Sequence, residues 1–275
     1  MLTTIPWKEF TALTNGVKED SVPTKPFRWN ELMSTYSNSL TRVNQYISTT
    51  NCKFIADGSA RRAYFLPPGA YDKGKLEEPS CFKVAKDAGK GIAQNEAEVK
   101  NLVEHSGDKY TCFPKLYDWE ENSYLFMLCE VGTPVPDVPP GIAREYVSTI
   151  GKYLEKLYKD GKVPEFSYDK DFEGISNMST FLTWIDTMFN FNDFVDYDKA
   201  KMKRIGEILN EIDKDMPQYK GITDTIRLIS DTGDDVVDAI DFTVASNWAF
   251  VSRKDKLMML PIDWGFTKEV AEEYY

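Results

Sequence analysis

The chain has 275 residues and a net charge of −11, from 33 Lys and Arg against 44 Asp and Glu. Its hydrophobic content of 42% is too high for a disordered protein, and the acidic balance argues against wrapping a nucleic-acid backbone. No apolar run approaches the roughly 20 residues that span a bilayer, and Met1–Phe10 lacks the features of a secretory signal, which predicts a cytoplasmic protein with free thiols.

The first half of the chain predicts short strands separated by turn residues. Gly58 lies between the first two segments and predicts a hairpin. Apolar spacing predicts a helix over Ile92–Glu104. The predicted strands of this half are Asn51–Ala56, Ala63–Leu66, Ser80–Ala85, Phe113–Leu116 and Tyr124–Glu130.

The second half changes to helical spacing. Thr133–Pro140 carries four prolines and predicts a connector between two domains. Residues 1–50 form an extension without an assigned role, residues 51–132 a strand-rich domain with one helix, and residues 133–275 a mostly helical domain that ends in a hairpin. The predicted helices are Ile142–Asp160, Phe181–Phe189, Met202–Ile212 and Thr223–Ile240, and the hairpin strands are Trp248–Ser252 and Leu257–Ile262.

The first candidate site is the turn between the first two predicted strands. Its small residues allow the backbone to approach a phosphate, so that N–H groups can bind it. Gly58 and Ser59 are therefore candidate phosphate-binding residues. Taken alone, they fit an ordinary hairpin turn better than a phosphate site.

A lysine lies in the middle of the predicted strand Ser80–Ala85. Lys83 is unfavourable among apolar residues unless an anion faces it, such as a nucleotide phosphate, although an edge-strand lysine that points to water is the alternative.

The following helix offers a carboxylate partner. Glu98 adjoins the apolar face that includes Leu102 and is preferred to Glu96, whereas a solvated acidic face is the simpler interpretation.

Polar residues also flank the two strands near the end. The predicted hairpin brings Asn247 and Asp263 to neighbouring strand ends, and such oxygen ligands suit a magnesium ion that carries a nucleotide. Asp241 precedes Asn247 and is a candidate to accept a proton from an attacking hydroxyl or to orient it. Alternatively, Asp241 caps a turn and Asp263 ends a strand.

The order of these motifs resembles the protein-kinase-like superfamily. Three motifs are most similar to those of small kinase-like proteins of tailed bacteriophages: Gly-Ser-x-Arg, Phe-Lys-Val-Ala-Lys and Ile-Asp-x-Gly. The resemblance covers about residues 51–270. The resemblance implies an α+β, two-lobed kinase-like fold. Its N-lobe would be an antiparallel sheet with one helix, its C-lobe would be mostly helical and shortened, and the nucleotide would lie between the lobes.

The resemblance also implies a role for each candidate residue. It implies ATP and Mg²⁺ as cofactors. In chain order, the implied roles are the phosphate loop for Gly58 and Ser59, phosphate binding for Lys83, its helix partner for Glu98, the adenine-contacting hinge for Glu130 and Val131, catalysis for Asp241, and metal binding for Asn247 and Asp263.

The chain departs from that family in several places. The segment Ala239-Ile240-Asp241 lacks the His-Arg that precedes the catalytic Asp, and the phosphate loop has one glycine. Only ten residues follow Gly265, so we expect the usual peptide platform to be absent or to be built from the helices at 141–240. Ile262-Asp263-Trp264 also resembles aminoglycoside and choline kinases.

Three functions follow from this pattern. The first is an ATP- and magnesium-dependent phosphotransferase acting on protein Ser or Thr; the resemblance implies a phage protein that acts on host proteins in the host cytoplasm. The second is a catalytically weak or inactive kinase-like protein that binds and inhibits a host factor, because the acidic surface would suit a basic partner. The third is a small-molecule kinase.

No membrane partner is expected. Direct nucleic-acid binding is not expected either, because the net charge is −11.

Overall fold

The computed structural model describes residues 47, 53–66, 68, 78–105, 110–121, 123–162, 199–232, 244–253 and 256–275. The described strands and helices are β1 Lys53–Asp57, β2 Arg61–Leu66, β3 Ser80–Ala85, α1 Lys90–His105, β4 Leu116–Trp119, β5 Phe126–Glu130, β6 Thr133–Pro134, α2 Pro140–Lys159, α3 Lys199–Asp215, α4 Lys220–Thr232, β7 Trp248–Arg253, β8 Lys256–Pro261 and α5 Lys268–Tyr274.

These elements belong to two compact units. The sheet unit takes its described residues from Asn15–Ser106, Pro114–Gly132 and Trp264–Tyr275. The helical unit takes its described residues from Gly107–Phe113 and Thr133–Asp263. Of the extension over residues 1–50, only the buried Ile47 lies among the described residues.

An antiparallel sheet forms the centre of the sheet unit. Among the described residues it has five strands in the order β1-β2-β3-β5-β4. The hairpin predicted at Gly58 is confirmed, because β1 pairs antiparallel with β2 and the Gly58 amide donates to the Arg61 carbonyl at 2.9 Å. Phe82 and Phe126 are fully buried, with ring centroids 5.4 Å apart, and pack the face opposite Lys83.

Helix α1 lies against this sheet and includes the predicted helix Ile92–Glu104. Its first turn is fixed by Asp87, whose carboxylate accepts hydrogen bonds from the amides of Gly89 at 2.9 Å and Gly91 at 3.1 Å. This carboxylate satisfies amides that have no carbonyl partner inside the helix. The start of α1 is therefore set by a local side-chain contact.

The helical unit combines helices α2, α3 and α4 with a small antiparallel sheet in the order β6-β7-β8. Tyr146 of α2 packs against Tyr219 at a centroid distance of 4.4 Å and against Phe250 of β7 at 5.0 Å. This aromatic contact joins a helix to the hairpin β7–β8 and lies in the core of the unit. None of the helices described here is long and apolar enough to cross a membrane.

The structure corrects two local predictions. The strand predicted at Phe113–Leu116 begins instead at Leu116, because the side chain of Arg253 donates to the carbonyls of Thr111 at 2.7 Å and Phe113 at 2.6 Å. Thr133–Pro140 does not act only as a connector, since Thr133 and Pro134 pair with β7.

Other predictions differ in extent. The helices predicted from 142, 202 and 223 are present as α2, α3 and α4 with longer N-termini, whereas helix α5 was not predicted. The helix predicted at Phe181–Phe189 and the end of the one predicted to Ile240 lie outside the described residues. The α+β class is present, with one antiparallel sheet, several helices and a second small sheet among the residues described.

Two helical glycines make matched test positions in the helical unit. A Cβ on Gly221 of α4 would lie 2.4 Å from the Met259 carbonyl oxygen, whereas a Cβ on Gly206 of α3 would meet nothing within 4 Å. We expect Gly221→Ala to lower the free energy of unfolding by about 1–3 kcal/mol, because strand β8 must move. Gly206→Ala should raise it by up to about 1 kcal/mol, because alanine favours helix. Equal effects of the two substitutions in chemical denaturation would contradict this packing.

Candidate functional site

A buried ion pair connects strand β3 to helix α1 in the sheet unit. The Lys83 ammonium donates to both carboxylate oxygens of Glu98, at 2.6 and 2.9 Å. The Glu98 side chain is fully buried, and that of Lys83 is 12% exposed. A buried charge of either sign needs a partner of opposite sign. The structure thus supplies the anion that the sequence demanded for Lys83.

Arg61 at the start of β2 is a second cation on the same carboxylate. Its Nη1 atom lies 2.5 Å from Glu98 Oε2, and the arginine side chain is 7% exposed. The same atom also donates to the Asn95 side-chain oxygen at 3.3 Å. We call Arg61, Lys83 and Glu98 the carboxylate cluster. Two strands and one helix therefore meet at one buried carboxylate.

The helical position of Glu98 explains why it, and not Glu96, holds Lys83. Glu98 lies on the buried face of α1 with Val99 and Leu102. Glu96 points away and pairs with Lys100 at 2.8 Å, with both side chains well exposed. The apolar neighbours of Glu98 are the sequence signal that separates the two carboxylates.

The turn with the candidate residues Gly58 and Ser59 joins β1 to β2 in the same unit. Lys86 donates to the Gly58 carbonyl at 2.6 Å and pairs with Asp57 at 2.5 Å. The hydrogen bond from Lys86 lowers the pKa of Asp57 below its usual value. The Ser59 hydroxyl shares a hydrogen bond of 2.8 Å with the Tyr275 hydroxyl. Side chains that directly follow β3 and α5 therefore hold the turn.

Trp264 and Gly265 lie against helix α1. Asn101 donates to the Trp264 carbonyl at 2.9 Å, and the Trp264 side chain is fully buried. A Cβ on Gly265 would lie 2.3 Å from the Gln94 carbonyl oxygen, so the backbone approaches the helix more closely than any other residue type allows. This contact gives the glycine of the Ile-Asp-x-Gly motif a structural reason.

Asn247 and Asp263 lie at the same end of the hairpin β7–β8 in the helical unit. Asn247 ends the 3₁₀ turn Ala245–Asn247 directly before β7, and Asp263 follows β8 by two residues. The Ile262 amide donates to the Asn247 carbonyl at 2.9 Å, which continues the ladder beyond the Trp248–Pro261 pair. Both side chains are half-buried. Their oxygen atoms suit magnesium, which prefers carboxylate and carbonyl ligands and retains several waters.

The other predicted site residues are spread over the chain. Glu130 ends β5 and is buried; its carboxylate accepts from the Lys115 amide at 3.1 Å, and its own amide donates to the Lys115 carbonyl at 2.8 Å. Val131 follows it and is half-buried. Asp241 lies outside the described residues. Within the described part of the chain, no group of three or more His, Cys, Asp and Glu is placed to hold a metal.

Sequence reasoning missed Arg61 and the buried amides of α1. Asn95 donates to the Tyr124 carbonyl at 2.8 Å and is fully buried, as Asn101 nearly is. The available signal was the spacing of Asn95, Glu98 and Asn101, which places them on one helix face. Arg61 carried no such signal, because an arginine after a turn is ordinarily exposed.

Comparison of the sequence with known proteins gives no relative: no protein-family model and no curated protein matches the chain.

A matched pair of substitutions tests the carboxylate cluster. We expect Glu98→Gln to lower the free energy of unfolding by about 3–5 kcal/mol, because it leaves Lys83 and Arg61 without their shared carboxylate. Glu96→Gln removes an exposed pair on the same helix and should change stability by at most about 0.5 kcal/mol. Urea denaturation measures both values. A Glu98→Gln protein as stable as the Glu96→Gln protein would contradict the burial of the cluster.

Proposed function

We propose that the chain is an ATP- and magnesium-dependent phosphotransferase of the protein-kinase-like type, acting on Ser or Thr of a protein. The buried pair of Lys83 and Glu98 carries this proposal. It joins a central strand to the one helix described between β3 and β4, which is the place where kinase-like proteins fix their phosphate-binding lysine.

Stability alone does not account for such a pair. Removing two charges from water is costly, and well-packed apolar residues in their place are often as stabilising or more so. Here two cations and a carboxylate lie in the interior of a small sheet unit, and Lys83 belongs to a strand whose other residues, apart from Ser80, are apolar. A role for the lysine ammonium toward an anionic ligand explains why this position is charged.

The architecture of the two units supports the same proposal. One unit is an antiparallel sheet with α1, and the other combines helices with the hairpin β7–β8. A two-lobed kinase-like fold requires both parts, with Asn247 and Asp263 carried by the hairpin. The five-strand order, with Lys83 on the middle strand, agrees with this requirement.

In the proposed reaction the protein acts mainly by positioning and charge neutralisation. Lys83 binds the nucleotide phosphates while Glu98 fixes its ammonium. The turn at Gly58 and Ser59 covers the phosphates with backbone amides, and Glu130 and Val131 contact the adenine. Asp241 orients the hydroxyl of the acceptor and takes its proton.

A magnesium ion, when bound, supplies positive charge against the phosphate oxygens. Asn247 and Asp263 are the residues that would hold it, and their amide and carboxylate oxygens fit its preference for oxygen ligands. The remaining ligands of such an ion are waters and substrate phosphates.

Phosphate transfer from labelled ATP tests the proposal. We expect magnesium-dependent labelling of the chain itself or of an added protein, read by intact mass. Lys83→Met and Asp263→Ala should each lower the rate at least about 100-fold, because they remove phosphate and metal ligands.

Two substitutions of the same chemistry serve as controls. Lys100→Met removes an exposed lysine of α1, and Asp160→Ala removes an exposed aspartate after α2, so both should retain the rate. Circular dichroism checks that every variant is folded. Normal transfer by both Lys83→Met and Asp263→Ala would refute the proposed roles, and transfer to choline or an aminoglycoside in place of protein would identify a small-molecule kinase.

The second candidate function is that of a kinase-like protein that binds a host factor without transferring phosphate. The net charge of −11 favours it, because an acidic surface attracts a basic partner. Thermal unfolding with ATP and magnesium separates the two functions. A nucleotide at 100 times its Kd stabilises by about 2.7 kcal/mol, so a raised Tm supports the phosphotransferase, and an unchanged Tm at millimolar nucleotide supports the binding protein.

A further inference from the structure

Two cysteines face each other across strands β3 and β5 of the sheet unit. Cys81 and Cys129 are directly paired in the antiparallel register, and both thiols are free and buried. Directly opposed residues in such a ladder have Cα atoms about 4.5–5.5 Å apart. A disulfide requires about 4.4–6.8 Å, so the backbone already has the spacing of a bridged pair.

The two thiols are in contact and differ in character. They share a hydrogen bond, and Lys83 lies two residues from Cys81 on the same face of β3. The hydrogen bond from Cys129, together with the charge of Lys83, lowers the pKa of the Cys81 thiol below its ordinary value. The same hydrogen bond, together with burial, raises the pKa of Cys129. Of the two thiols, Cys81 therefore has the stronger thiolate character.

The exposure of the two residues differs in the same direction. Cys81 is 8% exposed, whereas Cys129 is 1% exposed. A small oxidant thus meets Cys81 first. Bulky oxidants are excluded by the packing around both residues.

We propose that Cys81 and Cys129 form a reversible disulfide when the protein meets a hydroperoxide. The Cys81 thiolate attacks one peroxide oxygen, the O–O bond breaks, and hydroxide leaves, which gives a sulfenic acid on Cys81. The Cys129 sulfur then attacks the Cys81 sulfur, the S–O bond breaks, and the departing hydroxide takes the Cys129 proton as water. The hydroxide of the first step takes up the proton that the Cys81 thiol gave up, so the two thiols together lose two electrons and hydrogen peroxide is reduced to two waters.

The bond forms two residue pairs away from the carboxylate cluster: Lys83 pairs with Met127, Cys81 pairs with Cys129, and one pair lies between them. It adds a covalent link between β3 and β5 without requiring a new register. This modification does not depend on the proposed phosphotransfer, since it needs only the sheet and the oxidant.

The experiment uses the reduced full chain and hydrogen peroxide as the probe. After the peroxide is removed, the protein is denatured, alkylated and analysed by intact mass and by peptide mapping without reductant. Of the four thiols, we expect two to resist alkylation, with the loss of two hydrogen atoms and a linked peptide pair containing Cys81 and Cys129. Dithiothreitol should restore all four thiols.

Single substitutions assign the order of attack. Cys129→Ala should stop the reaction at a Cys81 sulfenic acid, which a 1,3-diketone traps, whereas Cys81→Ala should leave Cys129 alkylatable. Cys112→Ala is the matched control: Cys112 is also buried, but burial raises its pKa and it lies in the helical unit, so this variant should still form the disulfide. Circular dichroism checks the fold of each variant. Peptide mapping of the unsubstituted chain tests the disulfide even if a variant does not fold.

Several results would overturn the proposal. Four alkylatable thiols after peroxide treatment, or sulfinic acid on Cys81 without a linked peptide, would show that the pair does not close. A disulfide from Cys81 to Cys112, to Cys52 outside the described residues, or to a second molecule would assign the oxidation elsewhere.

Discussion

A carboxylate buried between a helix and a sheet must be neutralised where it lies, and this requirement organises the sheet unit. Glu98 meets it with Lys83 from β3 and Arg61 from β2. Because β2 and β3 are adjacent strands, the two cations approach from neighbouring positions in one register. A shift of either strand by one residue would send its cation to the other face and leave the carboxylate with a single partner. The ion pairs therefore specify register as well as charge.

The polar face of α1 extends this constraint to the loops. Asn95 holds the Tyr124 carbonyl and Asn101 holds the Trp264 carbonyl, so buried amides fix two chain segments that have no ladder partner there. Such buried polar groups are favourable only when every one is satisfied. Gly265 allows the backbone to reach the helix at all. A helix whose buried face was entirely apolar could also pack on the sheet, but it would not determine where these two segments lie.

The sequence predicts the parts that depend on local pattern. Short apolar segments and the turn at Gly58 predict the hairpin, and the apolar neighbours of Glu98 separate it from Glu96. Contacts between distant positions were not predictable: Arg61 meets Glu98 across 37 residues, and the Arg253 side chain bonds the Phe113 carbonyl, which the predicted strand would have used. In both cases a long side chain supplies hydrogen bonds that no periodicity encodes. The roles of the candidate residues stay predictions that rest on the order of motifs.

Helix α1 is also connected to the turn at Ser59, through Tyr275. The Tyr275 hydroxyl bonds to Ser59 and accepts from the Gln94 side chain at 3.2 Å, while the Lys90 ammonium lies 4.8 Å from the centre of its ring. Tyr275 thus connects the turn to the helix that carries Glu98. The turn and Lys83, both of which are proposed to bind the nucleotide, are then attached to the same helix. A displacement of α1 would move the turn and Lys83 together. The position of this helix therefore sets the geometry of the sheet unit more than the position of either strand does.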